Sequence, residues 1–239
     1  KALLRYDASL AGDLLPPALA ASQAALRENR PARLGGPLTG DAFTPLDSLT
    51  RAPVELFVDV VQPQAELLII GLGHIGLALA EFGRLLGLRV VVIDDRPEWL
   101  ARCPQADEAI LVAYDPVSEA LDSIPVTITP SAHIVVATWG WDEPALAQVV
   151  TSPAAYISLV ASRRKAILIF EKLLDGGLAR EELARIKVPA GLDLGAETPE
   201  EVAFSIMAEI MMSQRAASGR PMTEVRGHPL VRRRSRRVD

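Results

Sequence analysis

A sustained apolar run, Leu67-Leu68-Ile69-Ile70, is entered from Glu66 and ended by Gly71. No polar position interrupts it, which predicts a parallel strand buried on both faces. The period then changes. Ile75, Ala78, Leu79, Phe82, Leu85 and Leu86 recur at helical spacing, so 74–87 predicts a helix, with Gly87 placed to end it. Leu88 to Ile93 reads as a second buried strand, closed by Asp94. Further strands are expected at Glu108–Val112, Val126–Thr129, His133–Thr138 and Ala155–Ala161. Helices are expected at Glu143–Val150, at 181–186, and from Arg163 to Asp175, stopped by Gly176-Gly177. A last helix runs from Thr198 to about Arg215; Thr198 and Glu201 form a capping box, with Pro199 in the first helical position. Strands alternating with helices predict an α/β fold, a Rossmann-like doubly wound parallel sheet.

This pattern occupies residues 64–217. Before it, residues 1–63 read as a small N-terminal appendage: a helix from about Pro17 to Arg27, a Gly- and Pro-rich loop over 31–53, and a strand at Glu55–Val61. Residues 218–239 read as a basic, disordered tail.

Composition narrows the function. The net charge is −5, yet residues 220–239 hold seven Arg against Glu224 and Asp239, so the body is acidic. An acidic body argues against nucleic acid as a partner. No apolar stretch reaches membrane-spanning length and no signal pattern opens the chain, so the expected setting is cytoplasmic. The chain opens on Lys1 instead of Met, which implies a trimmed or internal start. Cys103 is the only cysteine, and three scattered histidines give no zinc-ligand spacing. No Ser, His and acid set presents itself as a triad.

Candidate chemistry gathers where the strands should end. Gly71, Gly73 and Gly76 form a G-x-G-x-x-G loop with His74 inside it. Glycines there allow a tight turn and close approach to a ligand, and the following helix offers N–H groups to an anion. Alone, this loop and Asp94 read as a nicotinamide dinucleotide site, hence an NAD-dependent oxidoreductase, with Asp94 on the ribose hydroxyls. Asp95 and Arg96 follow on the same turn. Thr138, Trp139 and Trp141 follow the third long strand; the tryptophans suit stacking on a planar ring or sealing a pocket rim. Ser162 is placed to cap a helix whose first turn holds Arg163, Arg164 and Lys165. Cations at that positive end cost about 0.3–1 kcal/mol each. A bound phosphate would reverse this cost, and so would pairing with body carboxylates. Asp193 and Glu197 lie in a Gly-rich turn before the last helix and are placed to line the same pocket.

Taken together, Gly71–Gly76, Asp94-Asp95-Arg96-Pro97-Glu98, Val160–Lys165, Gly191–Glu201 and Ile206–Ile210 resemble the XdhC/CoxI family over roughly residues 54–217. Its members are accessory proteins of molybdenum hydroxylases such as xanthine dehydrogenase and carbon monoxide dehydrogenase. The resemblance implies a chaperone without turnover that binds molybdenum cofactor (molybdopterin), supports its sulfuration and hands it to the hydroxylase apoenzyme. It implies a cysteine desulfurase as a further partner; an exposed sheet edge adds the expectation of a homodimer. Two departures stand out. Members often carry a Thr-His segment where Thr138 is followed by Trp139. The first domain of longer members, with its Gly-Gly-Cys motif, has no counterpart, so the chain resembles the short, Rossmann-only type.

Overall fold

A computed structural model describes residues 64–226 throughout and, before them, residues 3–4, 10–11, 19–20, 22–24, 32–36, 44–46 and 52–58. The chain divides into two compact units, Lys1–Pro63 and Gln64–Asp239. In the first, β1 (Leu3–Leu4) pairs with β2 (Leu10–Ala11). A separate antiparallel sheet has β3 (Ala32–Gly36) between β4 (Thr44–Pro45) and β5 (Val54–Val58). The expected loop over 31–53 therefore contains a central strand. Its glycines suggest a loop, but Gly35 is needed for packing: a Cβ there would sit 2.6 Å from both Ala52 and Leu46. The expected 17–27 helix is seen at residues 19–20 and 22–24; its other positions lie outside the described residues, as do 59–61 of the expected strand.

The second unit is a six-stranded, all-parallel sheet in the order β13-β12-β11-β6-β7-β8. In chain order its elements are β6 (Glu66–Ile70), α1 (His74–Leu85), β7 (Arg89–Asp94), α2 (Pro97–Leu100) and β8 (Glu108–Leu111). A hairpin of β9 (Tyr114–Asp115) and β10 (Ala120–Leu121) follows, then β11 (Ala132–Val136), α3 (Asp142–Val149) and β12 (Tyr156–Leu159). The unit ends with α4 (Arg163–Asp175), α5 (Arg180–Leu183), β13 (Ile186–Lys187), α6 (Pro199–Gln214) and α7 (Met222–Arg226).

Alternate residues of each strand serve opposite layers. Leu68, Ile70, Val91, Ile93, Ile134 and Val136 pack with Leu146 of α3 and with Ala166, Ile169 and Leu173 of α4. Leu67, Ile69, Val90, Val92 and Val135 pack with Leu79 of α1 and with Ala203, Ile206 and Ile210 of α6. Leu67 to Ile70 are all fully buried, each stabilising by about 1.5–3 kcal/mol. The caps form as expected: Ser162 Oγ accepts from the Lys165 N–H, and Thr198 and Glu201 make a reciprocal box.

Three further expectations need correction. The helix expected over 181–186 covers Arg180–Leu183, and Ile186 belongs to β13. Val126–Thr129 forms no strand and makes no ladder with the following β11, which β6 and β12 flank. Its alternating Val126 and Ile128 instead pack on the core without a ladder. Within the expected disordered tail, Met222–Arg226 is helical, with Arg220 paired to Glu224; residues 227–239 lie outside the described part.

Candidate functional site

The chain leaves β6 towards β7 and β8, then returns to place β11 on the other side of β6. The crevice beyond the carboxyl ends of β6 and β11 is therefore the topological switch point, where open α/β sheets bind ligands. A cleft of about 340 Å³ lies there. Gly73, His74, Ile75 and Gly76 form one wall, Ala137, Thr138 and Trp139 the other, and Arg96, Trp99, Val160 and Pro199 complete it.

The loop glycines are present for different reasons. Gly71 has φ +99°, and a Cβ there would lie 2.4 Å from the Ala137 carbonyl oxygen. Gly76 packs its helix onto the loop; a Cβ would lie 2.5 Å from the Gly71 oxygen. Gly73 differs from both: its φ of −85° suits any residue, and a Cβ would meet nothing within 4 Å. Protein packing does not require glycine at 73, and the direction a Cβ would take there is open space. Gly73 is also the N-cap of α1 and supplies no side-chain cap. Among the described residues, the N–H groups of Gly73, His74, Ile75 and Gly76 have no protein acceptor. The four face the position where an anion is favoured.

Asp94 is fully buried. Its Oδ2 accepts from the Leu72 N–H at 2.5 Å and from Arg96 Nη2 at 3.0 Å; Oδ1 accepts from the Arg96 N–H and Nε, each at 2.9 Å. A carboxylate offers about four acceptor sites, so these bonds leave none for a ribose. Burial pushes the Asp94 carboxyl up, but the Arg96 guanidinium and the two N–H groups outweigh it and hold the group below its usual range. Asp94 thus fastens the glycine loop to the β7–α2 turn. Asp95 is turned away and accepts from Trp141 Nε1 at 3.1 Å.

The opposite wall is braced from α4. Lys165 Nζ lies 2.5 Å from Oδ2 of Asp142, which is 2% exposed, while Asp142 Oδ1 accepts from the Thr138 N–H at 3.2 Å. Lys165 is thus absorbed by a body carboxylate. Arg163 and Arg164 are exposed, with no ion pair among the described residues. None of Ser162, Arg163, Arg164 and Lys165 lines the cleft, although Val160 just before them does. Asp193 and Glu197 are exposed and also stand outside it; their turn is tied to α6 through the Gly191 N–H on Glu209 Oε2. Trp139 stands at the rim, 87% exposed, whereas Trp141 is buried in the core and cannot stack on a ligand.

Trp99 went unrecognised in the sequence. It meets the His74 ring edge-on at 5.2 Å, and the Arg96 and Arg102 guanidiniums lie 5.0 and 4.3 Å from its centroid. The signal was available: Trp99 follows the Asp-Asp-Arg-Pro turn by two residues, on the side of the glycine loop. Thr138 Oγ1, in the cleft wall, is buried without a partner. Cys103 is buried, and desolvation pushes its thiol up, away from nucleophilic use. Among the described residues no His, Cys, Asp and Glu cluster could hold a metal, and no helix is long and apolar enough to cross a membrane.

Residues 67–210 match the family described as the XdhC Rossmann domain. The chain is 30% identical over 237 residues to the uncharacterized protein YqeB of Escherichia coli K12, covering 96% of this chain and 43% of that protein. It is 25% identical over 162 residues to a probable xanthine dehydrogenase subunit of Bacillus subtilis 168, covering 67% of this chain and 46% of that one. It therefore spans less than half the length of these curated relatives. The crystal structure of a xanthine dehydrogenase from Bacillus halodurans, 20% identical, superposes with a TM-score of 0.52 over 84% of this chain and 64% of that one, a likeness of fold. The switch-point cleft, its glycine loop and this match place the chain in the XdhC family, with residues 67–210 as its Rossmann domain.

Proposed function

We propose that this protein binds molybdenum cofactor in the switch-point cleft and supports its maturation and delivery to a molybdenum hydroxylase of the xanthine dehydrogenase type, without turnover of its own. The observation that carries this reading is Gly73, a glycine that neither its backbone angles nor its packing requires. The space a side chain would fill is kept open beside four N–H groups without acceptors. A cofactor phosphate fits there, with Arg96 at hand. Trp99 and the exposed Trp139, both in the lining, offer rings to a flat pterin. Thr138 Oγ1 supplies an unpartnered hydroxyl in the same wall. The bound group would supply the molybdenum chemistry, and this chain's residues would bind it, orient it and shield it from water. The recipient would be a hydroxylase apoenzyme, with a cysteine desulfurase as sulfur donor.

Titration with molybdopterin, followed by tryptophan fluorescence, tests this. Saturable binding that weakens at least tenfold in Gly73→Ser is expected. Absence of binding, together with unchanged hydroxylase activity in cells lacking the protein, would overturn it. An NAD-dependent oxidoreductase is the second reading, favoured by the glycine loop and the strand order. The occupied carboxylate of Asp94 weighs against it, and an NAD titration separates the two.

A further inference from the structure

The outward face of α4 departs from the pattern of an ordinary surface helix. Ala166, Ile169 and Leu173 bury its inner face in the core. Opposite them lie Arg164, Ile167, Leu168, Glu171 and Asp175, at the i, i+3, i+4, i+7 and i+11 spacing of a single stripe. All five are exposed, Ile167 by 50% and Leu168 by 59%, on the face where polar side chains belong. A groove of about 390 Å³ runs beside the stripe, between α4 and α5, with an apolar lining from Ile167, Phe170, Leu174 and Leu183. Two cations of the helix are paired within the chain, Lys165 with Asp142 and Lys172 with Glu119. Arg164 and Glu171 have no ion-pair partner among the described residues. Arg164 stands in the first turn, where the helix dipole disfavours a cation, and Asp175 in the last, where it disfavours an anion.

We propose that this face binds a second copy of the chain, with the two α4 helices packed antiparallel across a two-fold axis. The stripe is basic at one end, apolar in the middle and acidic at the other. It therefore complements itself only when the second helix runs the opposite way; a parallel pair sets Arg164 against Arg164. With the axis between positions 167 and 168, Arg164 comes level with Glu171 of the second copy, and symmetry repeats the pair. Ile167 and Leu168 come level with Leu168 and Ile167 of the second copy, so the exposed apolar pair is covered beside the groove. Both charges left unpaired by the fold gain partners, and each helix dipole meets an oppositely directed one. An interface centred on one helix pair falls below the usual area of about 1,600 Å², so the dimer is reversible. None of this depends on what the switch-point cleft binds.

Sedimentation velocity of the full chain from about 1 to 200 µM tests this, with matched melts of every variant at the lowest concentration. Arg164, Leu168 and Glu171 are exposed, so their variants should fold. The wild type should pass from monomer to dimer within this range. Leu168→Glu should abolish the dimer, since the two-fold axis brings the new charges together. Arg164→Glu and Glu171→Arg should each weaken it at least tenfold, and the double exchange should restore it to within threefold of wild type. Leu111→Lys, on the exposed edge strand β8, should leave it unchanged. A chain that stays monomeric, a dimer that survives Leu168→Glu, or a double exchange without rescue would overturn the proposal. Loss of the dimer in Leu111→Lys would overturn it too, by assigning the contact to edge-strand pairing. So would a Leu168→Glu monomer that melts well below the wild-type monomer, because another segment of the same chain would then cover α4.

Discussion

Gly73→Ser separates the two reasons for which a glycine can stand in the loop. Position 73 is an N-cap at φ −85° and ψ −163°, an extended conformation open to serine, and its Cβ direction is empty to 4 Å. Serine is among the best N-cap residues and improves on glycine by a few tenths of a kcal/mol. Stability should therefore hold or rise by up to about 0.5 kcal/mol, a melting shift of no more than about 2 °C. Gly71→Ala is the contrasting case. A left-handed φ of +99° costs about 1–3 kcal/mol, and a Cβ 2.4 Å from a backbone oxygen adds about 1–3 kcal/mol of overpacking. The sum, about 2–6 kcal/mol, lowers the melting temperature by roughly 4–24 °C. Gly76→Ala falls between them, since the close Gly71 oxygen is partly offset by about 1 kcal/mol of helix propensity. Circular dichroism melts and a molybdopterin titration read the two effects apart: Gly73→Ser should keep its fold and lose its ligand. A destabilisation of Gly73→Ser by more than about 1 kcal/mol, or wild-type affinity in that variant, would refute the assignment of this glycine to a ligand.

Asp94→Asn should lose about 3–5 kcal/mol in urea unfolding, because it removes the buried charge that pairs with Arg96 and sets an NH2 against donors that one of the two oxygens now accepts from. Since Asp94 is held below its usual range, its stabilisation is complete above about pH 3.9 and is lost as pH falls through the lower folded value; the variant's acid limb should be flatter between pH 5 and 2. Burial lowers the pKa of His133, opposed in part by the Glu66 and Ser131 backbone, so the folded state prefers the neutral ring. Its contribution is present above about pH 6.5 and declines as pH drops towards the folded value, and His133→Gln should flatten urea midpoints measured from pH 7 to 5. Lys165→Met should cost about 1–3 kcal/mol by stranding the buried Asp142, whereas Arg164→Met should change stability by less than about 0.5 kcal/mol; matched denaturation curves decide.

Much of the fold was legible because its signals are local. The run Leu67–Ile70 declares a doubly buried strand, the 3.6-residue period after it declares α1, and Ser162 and Thr198 mark helix starts that the structure reproduces. Legibility ended where a segment's state depended on a distant partner. Val126–Thr129 alternates like a strand, yet its apolar side chains pack on the core and it joins no ladder. Residues 32–36 read as a loop until β4 and β5 flank them. In the site, Gly71, Gly73 and Gly76 look alike as letters, and only coordinates show that two serve packing and one leaves a space.

Periodicity, capping and glycine spacing by themselves determined a Rossmann-like sheet, the location of its loop and the family resemblance, since each is set by neighbours within about a turn or a strand of chain. Tertiary structure alone decided which charges remain available. Asp94 and Lys165 are both ligand candidates by position, yet Arg96 and Asp142 satisfy them internally. A charge in a folded chain interacts first with whatever opposite charge burial brings beside it, and that pairing depends on contacts that sequence spacing does not reveal.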